Sequence, residues 1–209
     1  STVSGETFSG PGVSGSVFNP SVAGPGTHTI NYEVCQSTYS VTAGTYSPIS
    51  ASTSGVGTFT DSFGTNNDDG LSGNIPIGFN FSFFCNTYST IVVCTNGFIT
   101  FSQGQTPVYP GQTIPNGASP NNIIAGVWAD LNPSSGGSVT YTTVGTSPTR
   151  TMIVNYSGVP YYGTSTYNTF QIQLHETTNI IEIHSTSVGV PASTTNYKTM
   201  GIENATGSG

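Results

Sequence analysis

Apolar and polar positions alternate with a period of two along most of the chain, the signature of half-buried strands. In Thr27–Val34 the residues Ile30, Tyr32 and Val34 share one side. Similar runs cover Ile75–Phe84, Thr90–Phe101, Ile123–Leu131, Ser138–Val144, Arg150–Tyr156, Asn168–His175, Ile180–Ser187 and Thr199–Glu203. Shorter pieces, Glu6–Ser9 and Ser16–Phe18, lie near the start, separated by Gly10-Pro11-Gly12 and followed by Ala23-Gly24-Pro25-Gly26. A turn at Thr177-Thr178 pairs Asn168–His175 with Ile180–Ser187, so that Gln173 faces Glu182 and Gln171 faces His184. Residues 103–122 read as a long loop holding Pro107, Pro110, Pro115 and Pro120. No stretch shows a helical period. About ten strands between Gly/Pro-rich loops predict an all-β fold, an antiparallel two-sheet sandwich.

Composition agrees with that reading and narrows the function. Thr, Tyr, Val and Ile favour pleated surface, while Gly, Asn, Pro and Ser supply turns. With 209 residues the chain hides roughly 70% of its unfolded surface on folding. Charged residues make up 5%, with 2 basic against 9 acidic side chains and a net charge of −7. Nucleic-acid binding by phosphate neutralisation needs clustered Lys and Arg and is excluded. No apolar run approaches the ~18 residues of a membrane span, and no polybasic membrane patch exists. There is no secretory leader pattern, so a secreted protein would be read here as a mature or excised stretch. So uncharged a surface has two readings: tuning for harsh extracellular conditions, or contact with copies of itself.

The three cysteines, Cys35, Cys85 and Cys94, are an odd number. Cys85 and Cys94 fall in one expected hairpin, and a turn at Ser89-Thr90 would let them face each other. A turn at Asn86-Thr87 would shift the register and separate them. The expectation is a Cys85–Cys94 disulfide, with Cys35 left over.

Several segments together resemble one known group of proteins. Phe8-Ser9-Gly10-Pro11-Gly12-Val13-Ser14-Gly15, Phe18-Asn19-Pro20 and Ala23-Gly24-Pro25-Gly26-Thr27-His28-Thr29-Ile30-Asn31-Tyr32 resemble the second half of an Ig-like repeat. Such repeats occur in very large secreted surface proteins of Bacteroidota, including gliding-associated adhesins. Thr95-Asn96-Gly97-Phe98-Ile99-Thr100-Phe101, Ile124-Ala125-Gly126-Val127-Trp128-Ala129-Asp130-Leu131 and Gly201-Ile202-Glu203-Asn204-Ala205-Thr206-Gly207 resemble a module of the same proteins. That module is distantly similar to the nidogen-type extracellular domain. The resemblance implies a partial Ig-like segment over residues 1–38 and a nidogen-like β-sandwich over 39–209. It also implies export, by the type IX route, to the cell surface, and it brings no catalytic residues. Ig-like repeats of that group carry strands and a Cys before the segment at which this chain begins, so the N-terminal unit is expected to be incomplete.

Candidate chemistry is sparse. Asp68 and Asp69, before Gly70, offer hard oxygen ligands for calcium, with Asp61 and Asp130 as partners from elsewhere in the fold. The competing reading is a solvated turn in which Asn and Asp bond their own backbone. His175, Glu182 and His184 form the best zinc set, but the two histidines sit about two pair-steps apart, and a polar cross-strand ladder is the favoured reading. No Gly-x-Ser-x-Gly elbow, phosphate-binding Gly loop or positioned carboxylate pair is present, so no enzyme activity and no cofactor beyond calcium are expected. Trp128 reads as core, and Arg150 either pairs with a carboxylate or ends a strand in water. Sequons stand at Asn80, Asn155 and Asn204.

The functional expectation is a non-enzymatic structural or adhesive module of an extracellular bacterial surface protein, a filament subunit linked head to tail by strand addition. Its partners would be other copies or flanking domains of a longer chain. The alternative is a carbohydrate- or matrix-binding module that uses loop 103–122 with Tyr161 and Tyr162.

Overall fold

The structure, a computed structural model, describes residues 6–34, 38–50, 59–61, 67–109, 111–190 and 198–209. It divides into two units. One comprises Ser1–Thr42 with the hairpin tip Phe83–Asn86, and the other Ala43–Ser82 with Thr87–Gly209.

The first unit is built from short pieces. Strands β1 (Glu6–Ser9) and β4 (Asn31–Val34) form an antiparallel pair, and β2 (Val13–Ser14) and β3 (Val17–Phe18) form a second. Between them Pro20–Ala23 makes one helical turn. Asn19 caps it, its side chain accepting from the Ser21 amide at 3.0 Å, and Pro20 supplies the preset φ of a first helical position. Phe8 and Tyr32 stack side by side with ring centroids 4.9 Å apart. No residue from 8 to 32 is buried. Tyr39 packs on Phe84 at 4.8 Å and accepts from its amide at 3.1 Å.

The second unit is the sandwich. Its larger sheet contains β5 (Phe59–Asp61), β6 (Gly70–Ser72), β7 (Ile75–Phe83), β8 (Asn86–Cys94), β9 (Phe98–Thr100), β10 (Ile123–Trp128) and, at the far edge, the C-terminal strand Thr199–Glu203. The smaller sheet runs in the order β11 (Ser138–Val144), β12 (Thr151–Pro160), β13 (Tyr167–His175), β14 (Ile181–Val188), and Thr199–Glu203 is numbered β15. Every pairing with a defined register is antiparallel. The fold is therefore all-β, as its alternation implies.

β10 is buried at every position. On one side Gly126 meets the smaller sheet so closely that a Cβ would lie 2.6 Å from the Phe170 ring and 3.1 Å from Ile172. The Tyr156 ring stacks on Phe170 at 4.4 Å, and its hydroxyl crosses to the other sheet and donates to the Cys94 carbonyl at 2.5 Å. On its other side, Ile123, Ala125 and Trp128 pack with Cys94 and Phe98 beneath Val108 and Ile114 of the long loop. Trp128 is core, and its indole N–H donates to the Val108 carbonyl at 2.9 Å. The buried Glu203 carboxylate holds the same loop: the Asn116 amide donates to it at 2.5 Å, and the Asn121 side chain, nitrogen inward, at 2.8 Å. Burial raises the Glu203 carboxyl above its ordinary range.

Two turns depart from the expectation. The run Thr90–Phe101 is broken at Thr95-Asn96-Gly97, where the Asn-Gly pair turns the chain from β8 into β9. Gly97 has φ +88°, and a Cβ there would sit inside contact distance of the Val127 carbonyl, which only glycine allows. The β7–β8 hairpin turns at Phe84-Cys85, both with positive φ. That places Cys85 at the tip and Cys94 at the far end of β8, about 30 Å away at the rise of an extended strand. The expected Cys85–Cys94 disulfide is therefore not formed: Cys94 is a free, buried thiol and Cys85 is disulfide-bonded. Cys35 lies outside the described residues. Arg150 pairs with a carboxylate: its guanidinium donates to Glu176 at 2.8 Å and their backbones bond at 2.8 Å, fastening the start of β12 to the end of β13.

Two outcomes are expected. Gly126→Ala should cost about 1–3 kcal/mol, the usual price of forcing a methyl into a packed seam, measured as a lowered denaturant midpoint; an unchanged midpoint would mean the sheets do not meet there. Without reductant, an alkylating reagent should label Cys94 only after unfolding. Recovery of Cys94 in a disulfide-linked peptide would contradict the hairpin register.

Candidate functional site

Three carboxylates converge at one end of the larger sheet. Asp68 and Asp69 precede β6, and Asp130 follows β10; one oxygen from each lies within 4.8 Å of the others. Among the described residues no other set of metal-ligating groups converges in this way. The β8–β9 turn holds the cluster together. Thr95 accepts from the Gly70 amide at 2.7 Å and donates to the Asp68 carbonyl at 2.5 Å. Asn96, fully buried, donates to the Asp69 carboxylate at 2.7 Å and accepts from the Leu131 amide at 2.9 Å. One buried side chain thus ties the Asp68-Asp69 loop to the Asp130 strand end. Partial burial, followed by the charges of Asp69 and Asp68, pushes the Asp130 carboxyl up to about 6. Such a group can relieve repulsion by holding a proton, or by sharing a hard cation such as calcium that takes oxygen ligands. Asp61 pairs with Gly70 through its backbone in β5; its side chain lies outside the described atoms.

The His175/Glu182/His184 set forms a ladder on the outward face of the smaller sheet. Register places Gln171 opposite His184 and Gln173 opposite Glu182, the pairing that the turn at Thr177-Thr178 requires. Glu182 Oε2 accepts from His184 Nε2 at 2.9 Å, and His175 Nε2 lies 3.3 Å from the same oxygen without hydrogen-bond alignment. The His184 bond, foremost, holds the Glu182 carboxyl below its usual range. His184 Nδ1 accepts from the Ser47 amide at 3.2 Å, which fixes the neutral tautomer with its proton on Nε2.

That Ser47 contact belongs to a strap. Residues 46–49 lie on the outward face: Tyr46 bonds Thr186 at 2.5 Å, and Gln171 exchanges two bonds of 3.0 Å with the Ile49 backbone. The strap accounts for polar side chains that are nonetheless buried, Gln171 and His184 among them. Beside it lies a cavity of about 310 Å³ between residues 48–50 and strands β11–β13. The strap had no readable signal, because Tyr46–Ser50 has no apolar period and its anchors are backbone groups.

The aromatic platform does not form as expected. Tyr161 is fully buried, donates to the Gly189 carbonyl at 3.1 Å, and burial pushes its phenol up to about 12. Tyr162 is 56% exposed, and its amide donates to the Asp130 carbonyl at 2.9 Å beside the acidic cluster.

This is an all-β two-sheet sandwich whose outward faces carry a strap and a long loop. It belongs to the NIDO-related family, whose model matches residues 37–209. No curated protein and no solved structure matches the chain.

A pH effect follows from Asp130. Between the ordinary aspartate range and about pH 6, the folded chain holds a proton that the unfolded chain has lost. Stability at this site therefore falls as pH rises through that window. In chelator-containing buffer, Asp130→Asn should be more stable than the parent at pH 7.5, with the gain vanishing toward pH 4. A gain independent of pH, read from denaturant midpoints, would contradict the placement of the three carboxylates.

Proposed function

We propose that the chain is a non-enzymatic structural and adhesive module that works outside the cell, at a bacterial surface, and joins copies of itself by strand addition at the β1–β4 pair. The observation that carries this reading is the pair's open edges among the described strands. Among the described residues neither β1 nor β4 has a further strand beside it. Phe8, Phe18, Ile30 and Tyr32 are all more than a third exposed, and Val17 and Val22 more than half. A two-stranded pair without a core is marginal in water. An open backbone edge beside apolar side chains is a template for a third strand.

Two further facts support the reading. The chain belongs to the NIDO-related family, and a nidogen-type module suggests work outside the cell. A chain with 5% charged residues also has little repulsion to oppose close contact between copies. A head-to-tail contact that does not close on itself produces a filament.

The test is assembly. By light scattering and negative-stain microscopy the full chain should form concentration-dependent oligomers that lengthen into filaments. The double change Phe8→Lys and Tyr32→Lys should leave it monomeric with unchanged melting of the sandwich. A parent chain that stays monomeric, or a double variant that assembles equally well, would overturn the proposal. Binding only to a flanking β-domain would reassign the occupant of the edge.

A further inference from the structure

The outward face of the smaller sheet carries a lateral row, Thr140–Asn155–Gln171–His184, one residue from each strand. Two members of the row are occupied. Gln171 uses both its amide atoms on the Ile49 backbone, and its oxygen also accepts from Gln173 at 3.0 Å. His184 is held between Ser47 and Glu182. The other two members differ. Among the described residues the Asn155 amide and the Thr140 hydroxyl make no side-chain hydrogen bond, and both line the cavity beside the strap. Thr140 is only 7% exposed. Asn155 is partly buried, and neither polar group is sealed from solvent, so both are open to bond whatever enters the cavity.

The walls define what that something is. Pro48 and Ile49 on the strap and Ile153 on β12 give apolar surface, and among the described residues no carboxylate, ammonium, guanidinium or imidazole group lines the space. A charged ligand would find no counter-charge. An asparagine amide presents donors and an acceptor side by side in one plane. Two adjacent hydroxyls, one donating and one accepting, match it, while the C–H face of a sugar ring matches the apolar wall. The volume of about 310 Å³ is at the small end of ligand pockets. The Gln171–Ile49 clamp keeps the strap wall in place before any ligand arrives, which lowers the ordering cost of binding.

We infer that this cavity binds a single uncharged saccharide unit, with Asn155 and Thr140 bonding its hydroxyls. The site lies within the family-matched region and does not depend on the N-terminal strand pair.

The test is an NMR titration of the isotope-labelled full chain with glucose, galactose, mannose and N-acetylglucosamine, and with glucuronic acid as the charged comparison. At least one neutral sugar should shift the amides of Ile49, Thr140 and Asn155 in a saturable way at millimolar concentration. Asn155→Leu should weaken that binding at least tenfold, and Tyr162→Ala should leave it unchanged. Should Asn155→Leu fail to fold, Ile49→Trp, which fills the cavity from the strap side, gives the same reading. The inference is overturned if no neutral sugar saturates, if glucuronic acid binds as well as the neutral sugars, if the shifts gather around Tyr162, or if a folded cavity variant binds like the parent.

Discussion

The contact between Gly126 and the Phe170 ring sets the spacing of the two sheets, and most of the structure follows from it. A side chain on Gly126 would hold β10 away from β13. With none, Phe170 enters the gap, Tyr156 stacks behind it, and the Tyr156 hydroxyl reaches the Cys94 carbonyl on the opposite sheet. Dense packing on one side leaves β10 needing cover on the other, where the long loop brings Val108 and Ile114 over Trp128. The smaller sheet solves the same problem with polar chemistry. Its outward face is a ladder of amides, hydroxyls and imidazoles, and the strap at residues 46–49 meets it with backbone N–H and C=O groups. A chain with so few charges covers its sheet faces with its own segments, because it has little charged surface to present to water.

The same economy frames the first unit. Its strands are short, and its aromatic pair, Phe8 and Tyr32, is more than a third exposed at both residues. The contrast lies in the cover each part has. The sandwich closes its faces with its own segments, and among the described residues the N-terminal pair keeps open edges. The proposed self-association would assign those edges to a partner, whereas the strap cavity and the acidic cluster are properties of the sandwich.

Strands with strict alternation were legible in the sequence. β7 carries its inward Ile75, Ile77, Phe79 and Phe81 at every second position, and the β13–β14 register follows from one turn. The hairpin tip was not legible, because Phe84 and Cys85 adopt positive φ without the Gly, Asn or Pro that marks such turns. The opposite case is Asn96-Gly97, a strong turn signal hidden inside an apolar run. Asp68, Asp69 and Asp130 were all visible as ligand types. Their convergence depends on Asn96, a residue with no ligand chemistry of its own that joins two distant segments. Tyr161 looked like surface because it adjoins Tyr162 in a polar loop, yet its pairing with Leu131 turns it inward.

Hydrogen exchange read by mass spectrometry, as a function of protein concentration, tests self-association through the N-terminal pair most directly. In dilute solution the amides of β10 and β13 should exchange only with global opening, and those of β1 and β4 near the unprotected rate. As concentration rises, protection should appear in β1 and β4 while the sandwich stays unchanged. Protection of β1 and β4 as strong as that of β10 in the dilute chain, or no gain at any concentration, would contradict the account.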